Sequence, residues 1–160
     1  MINIYLTSEL KQFYLDDFNK ISQVSIDFWK IEPEILPYLT IINKNKKIQP
    51  IYSKYGVNDS IKGSYIKFCY FQELEEQLFK SFLPDILEEF NDLENVTCVY
   101  EFHYPHENPN YDKKTALGIS ATDNPEHFRV NHIKLTLRSY KEKYHLSFWK
   151  ELSDRLFKIK

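Results

Sequence analysis

A chain of 160 residues with 42% hydrophobic and 16% aromatic side chains can bury one sizeable core. That sets aside global disorder and predicts a single domain over 1–160. The formal net charge of −2 argues against a polybasic nucleic-acid binder, and no stable nucleic-acid binding is expected. No segment approaches the roughly 18 apolar residues of a membrane span, and MINIYLTSELK lacks the basic start and apolar stretch of a secretory leader, so residence in the cytoplasm and no membrane partner are expected.

In chain order, residues 2–6 (INIYL) alternate weakly and predict a first strand. From Ser8, Leu10, Phe13, Tyr14, Phe18 and Ile21 recur at helical spacing, with Asp16 and Asp17 on the opposite side. In 22–30, Val24, Ile26 and Phe28 stand two apart and predict a half-buried strand. Pro33 and Pro37 interrupt the chain, and 38–42 (YLTII) predicts another short strand. The polar, lysine-rich 43–64 holds two of the three glycines and predicts loops or a hairpin.

The strand SYIKFCYF (64–71) then enters a helix with a continuous apolar stripe of Phe71, Leu74, Leu78, Phe82, Ile86 and Phe90. Pro84 must kink that helix or restart it as a first-turn proline. Residues 95–104 (NVTCVYEFHY) predict a strand, 105–126 a long proline-containing loop, and 130–140 a strand with Ile133, Leu135 and Leu137 on one face. A terminal helix over 147–160 is expected, capped by Ser147, with Trp149, Leu152, Leu156 and Ile159 inward. Strands and helices without regular βαβ alternation predict an α+β fold, a largely antiparallel sheet flanked by helices.

The chemistry-bearing residues form no enzyme signature. Cys69 and Cys98 sit in apolar strand stretches and are expected as buried, reduced thiols; there is no CxxC pair for zinc. No G-x-S-x-G elbow is present, and Gly56, Gly63 and Gly118 are too scattered for a phosphate loop. Neither a metal nor a cofactor is expected. His103 and His106, with His127 and His132, converge only if the two strands that carry or flank them pair; with Glu101 or Glu107 they would then supply the ligand types of a zinc or iron site. This keeps a histidine-based or metal-dependent hydrolase as an alternative. Arg138 and His145 (RSYKEKYH) form a pair that resembles the arginine–histidine pattern of the HEPN ribonucleases. The resemblance would imply a pair carried on a helix of an all-helical bundle, whereas Arg138 is expected to end a strand.

Charge is segregated more than its total suggests. Residues 68–94 carry eight acids and one lysine, 43–67 six lysines and one acid, and 129–160 nine basic residues and three acids. Tyr52, Tyr55 and Tyr65 interleave with the lysines of 43–67, which keeps a nucleic-acid-contacting adaptor as a second alternative. On the acidic helix, exclusion from the apolar stripe leaves Glu73, Glu75, Glu76, Asp85, Glu88, Glu89 and Asp92 as candidate partner-binding residues. Eighteen lysines, sixteen isoleucines and eleven asparagines, against two alanines and three arginines, indicate an AT-rich gene of the kind common in small-genome bacteria, phages and acquired islands. Together these features predict a binding protein, with an immunity or inhibitor role toward a bacterial toxin, of nuclease type, met through the acidic face.

Overall fold

The structure, a computed structural model, describes residues 5–22, 31–57, 63–103 and 130–160. Helix α1 spans Ser8–Ser22 and α2 Leu36–Asn43. Strands β1 (Ile48–Lys54) and β2 (Ser64–Tyr70) follow. Next comes a continuous helical segment over 72–91, here α3, and then β3 (Thr97–His103), β4 (His132–Arg138) and α4 (Glu142–Lys158). The sheet has the order β1-β2-β4-β3 with every neighbouring pair antiparallel. Since β2 and β3 both oppose β4, they run parallel to each other, and β2–α3–β3 is a split βαβ unit with β4 inserted. The α+β expectation holds.

Alternation along the central strands decides where the core lies. Ile66, Phe68 and Tyr70 of β2 join Ile133, Leu135 and Leu137 of β4 on one face, all completely buried. Onto that face pack Leu39 and Ile42 of α2, Leu74, Leu78, Phe82, Ile86 and Phe90 of α3, and Phe148, Trp149, Leu152 and Leu156 of α4. Cys69, one residue out of phase, belongs to a smaller cluster in which Leu6 and Tyr14 meet Ile51 and Val130, with Leu10 and Phe13 packed on them. Helix α1 thus covers one end of the second face.

Several expectations are corrected. Residues 38–42 are helical, within α2, because Pro37 sits in its first turn and Leu39 and Ile42 need one common buried face. Burial overrides the strand preference of Thr40, Ile41 and Ile42. Helix α4 begins at Glu142, not Ser147; Ser147 is exposed inside the helix, and the buried series starts earlier with His145. A buried histidine hid that first turn from an apolar pattern. The strand expected over 2–6 is absent where described: Tyr5 and Leu6 are irregular, although the Leu6 N–H donates to Tyr70 O at 3.0 Å. The strand expected over 22–30 and the loop over 105–126 lie outside the described residues, apart from Ser22, which ends α1.

The hairpin alternative for 43–64 is the one observed, with a bulge between Pro50 and Tyr52 on β1. Pro50 has no N–H to give, and β1 lies at an edge of the sheet, where that absence is tolerated. Gly63 enters β2 at φ +65, and a Cβ there would lie 2.2 Å from Leu137 O. In α3 a π turn, Leu78–Phe82, precedes Pro84, which takes up the first turn of a restarted α-helix over Leu83–Asn91.

Buried polar groups fasten these elements. The ammonium of Lys11 on α1, 7% exposed, donates to Asn43 O (3.1 Å), Ile48 O (2.8 Å) and Gln49 Oε1 (2.7 Å). Burial lowers its pKa to about 8, so it remains charged at neutral pH. Asn45 Nδ2 donates to Leu156 O (2.7 Å) and Ile159 O (2.9 Å), tying the α2–β1 turn to the end of α4. Asn91 brackets Cys98 on edge strand β3, accepting from its N–H (2.7 Å) and donating to its carbonyl (2.8 Å).

Replacing Lys11→Met relieves a buried charge but strands two buried acceptors and a part-buried one, and the second effect is the larger. Urea unfolding should report a loss of at least about 2 kcal/mol. Burial pushes both thiols up, Cys98 to about 12, so each is protonated as well as covered. A thiol reagent should label neither cysteine at neutral pH until denaturant is added; labelling of the native protein on the reagent's own timescale would contradict this packing.

Candidate functional site

The seven acidic candidates on and just after α3 separate into two groups. Glu73 pairs with Lys47 at 3.1 Å, Glu76 with Lys80 at 2.9 Å one turn on, and Glu89 with Arg155 of α4. Glu75 is half-buried and accepts the Tyr5 hydroxyl at 2.6 Å. The other three, Asp85, Glu88 and Asp92, are exposed, and no cation among the described residues pairs with them. Their spacing of three and four places them on one stripe of the helix, opposite Leu83, Ile86 and Phe90, which the core holds. Glu94 follows just beyond the helix, also exposed. Reading by exclusion therefore identified the outward carboxylates well. It missed that Glu73, Glu75, Glu76 and Glu89 already have partners, because those partners (Lys47, Tyr5, Lys80 and Arg155) are mostly remote in sequence.

The histidines behave differently from one another. Strands β3 and β4 do pair, and His103 stands opposite His132 with the rings stacked at 5.0 Å and 4°. The His132 Nδ1–H donates to Val130 O at 3.1 Å, which leaves Nε2 as the lone-pair nitrogen. Burial is the main cause that lowers the His132 pKa to about 4, helped by His103 and Lys67 against the Val130 carbonyl. Glu101 Oε2 lies 3.5 Å from His103 Nε2. His106 and His127 lie outside the described residues. Among the described residues no three His, Cys, Asp or Glu side chains are grouped to hold a metal ion.

His145 is completely buried, with Nε2 2.7 Å from Ser139 O and Nδ1 2.7 Å from Ser64 Oγ. The carbonyl can only accept, so Nε2 carries the proton and Nδ1 accepts from the Ser64 hydroxyl. Ser64 Oγ in turn accepts the Gly56 N–H at 3.0 Å. This serine–histidine contact is a closed structural relay with no exposed atom, and it ties β2 to the start of α4. Arg138, by contrast, is exposed at the end of β4. The resemblance to the HEPN pattern fails on both counts: a sheet carries the arginine, and the histidine has no nitrogen left for a substrate.

Cations and rings meet on the sheet face away from the main core. Lys134 Nζ lies 4.8 Å from the centre of the Tyr65 ring, and Lys67 Nζ 5.3 Å from that of Tyr52. At the β4–α4 corner, Lys141 and Lys143 approach the Tyr144 ring at 6.0 and 5.0 Å, and Tyr140 is 84% exposed. The lysine–tyrosine interleaving was legible within 43–67, but its continuation through 134–144 depends on strand register.

No helix among the described residues is long and apolar enough to cross a membrane. No protein-family model, curated protein sequence or solved structure matches the chain.

The His132 pKa sets an acid limit on stability. Its folded value of about 4 lies below the ordinary imidazole value of 6.5, so between the two the unfolded chain binds the extra proton. The stabilising effect of neutral His132 is complete above pH 6.5 and fades as pH falls toward 4. Unfolding free energy should drop by about 2 kcal/mol between pH 7 and 5 through this residue. The His132→Asn variant should lose that part of the pH dependence in parallel urea titrations.

Proposed function

We propose that this protein acts by binding rather than by turnover, as an immunity-type inhibitor that neutralises a bacterial toxin of nuclease type. The carrying observation is the stripe of Asp85, Glu88 and Asp92, three exposed carboxylates along one helix face with which no cation among the described residues pairs. A nuclease presents lysine and arginine to phosphates, and a fixed row of carboxylates addresses the same field. Such complementarity raises association rates by about ten- to a thousandfold and disfavours wrong partners. The helix is anchored by a fully buried stripe, so docking costs little backbone ordering. The neutralised carboxylates, Glu73, Glu76 and Glu89, form the flanks of that contact, because their charge is already partly screened.

Co-expression with a nuclease toxin domain, sought first among the genes neighbouring this one, tests this directly. Reversing Asp85, Glu88 and Asp92 to lysine should abolish protection and slow association of the purified proteins by about tenfold or more at low salt. Reversing Glu73 and Glu76 should have a much smaller effect. Melting temperature should change little in either variant, since exposed substitutions typically cost about 0.5 kcal/mol or less. Full protection by the triple variant would remove the acidic stripe from the mechanism.

A further inference from the structure

A second surface begins on the sheet face turned away from the main core and continues to the start of α4. On β4, Lys134 and Arg138 share the face turned away from the main core, about 13 Å apart along the strand. Tyr65 of β2 stands opposite Thr136, between them, with Lys134 over its ring. The chain then turns through Tyr140 into α4, where Lys141 and Lys143 are exposed. Cation and ring thus alternate along one path, from Lys134 and Tyr65 through Arg138 and Tyr140 to the two lysines.

Two features distinguish this path from an ordinary solvated surface. No carboxylate among the described residues pairs with Lys134, Arg138, Lys141 or Lys143, and the one acid within the corner, Glu142, accepts the Tyr55 hydroxyl at 2.8 Å. Moreover, Tyr140 is 84% exposed, and among the described residues no other aromatic side chain or cation packs against its ring. An exposed ring between unpaired cations is the arrangement that stacks a base while neighbouring phosphates are neutralised.

We propose that this track binds single-stranded nucleic acid, with Tyr140 and Tyr65 stacking bases and Arg138, Lys141 and Lys143 holding phosphates. The net charge of −2 does not oppose it, because charge is segregated along the chain: 68–94 carries eight acids and one lysine, whereas 129–160 carries nine basic residues and three acids, and Glu101, opposite Lys134 on β3, forms no ion pair with it. A second copy of the chain is the weaker occupant. Its acidic stripe would offer Tyr140 no ring or base face, and joining two unlike surfaces makes an open-ended contact. The binding does not rest on the inhibitor reading, since it uses none of Asp85, Glu88 or Asp92.

Fluorescence anisotropy of a labelled oligothymidylate of about fifteen nucleotides, titrated with the full chain at several salt concentrations, tests this. With three phosphates neutralised, log affinity should fall against log salt with a slope of about −2. Tyr140→Ala should weaken binding about tenfold. The double variant Lys141→Glu, Lys143→Glu should remove it, with melting temperatures unchanged. Asp85→Lys, which disables the other surface, should leave oligonucleotide binding intact or strengthen it. Absence of binding at low salt, or binding that none of these corner variants weakens, overturns the proposal. Tighter binding to vesicles of mixed neutral and anionic phospholipid than to the oligonucleotide overturns it in favour of a lipid surface. Self-association in sedimentation that Asp85→Lys abolishes overturns it in favour of a second copy.

Discussion

The period-two alternation of β2 and β4 is the constraint from which the rest of the molecule follows. Burying Ile66, Phe68 and Tyr70 with Ile133, Leu135 and Leu137 obliges Tyr65, Lys67, Lys134, Thr136 and Arg138 to take the other face, because successive side chains point to opposite sides. Helices α2, α3 and α4 collect on the apolar side. Since α3 turns Asp85, Glu88 and Glu89 outward on the far side of that core, the same alternation sets this acidic helix surface apart from Lys67, Lys134 and Arg138 on the opposite sheet face.

Polar groups inside this frame decide how its pieces are joined. Lys11 holds α1 to the α2–β1 turn, Asn45 holds that turn to the end of α4, and His145 with Ser64 holds α4 to β2. Each spans a junction that apolar contact alone would leave free to slide. A hydrogen bond in such a place contributes only about 1 kcal/mol net, but an orphaned partner costs more, so these contacts specify geometry more than they add stability. Asn91 performs a related task at the sheet edge: its amide occupies the N–H and C=O of Cys98, which would otherwise be open to a strand from another chain.

The two charged surfaces differ in physical character. On α3, three carboxylates project from a helix fixed by a dry core, so a partner meets a rigid row of charge at helical spacing. On the sheet and at the α4 corner, flexible lysines and an arginine are interleaved with tyrosine rings, a surface that can adjust to a polymer. Rigid complementarity suits one defined protein partner, and adaptable stacking suits a repeating chain.

Much of this was legible from the sequence. Local alternation in 64–71 and 130–140 and the apolar stripe from Leu74 to Phe90 predict β2, β4 and α3 because each depends only on neighbours within a turn or a pleat. Pro84 and the outward carboxylates Asp85, Glu88 and Asp92 follow from the same periodicity. What the sequence could not supply is contact between distant segments. Residues 38–42 became helical because α2 packs on α4, and α4 gained its first turn because His145 found Ser64 and Ser139. The pairing of Glu89 with Arg155, the stacking of His103 on His132 and the track from Tyr65 to Lys143 were likewise decided only by tertiary structure. Propensity and periodicity are local energies of tenths of a kcal/mol per residue, and burial of a whole face outweighs them wherever the two disagree.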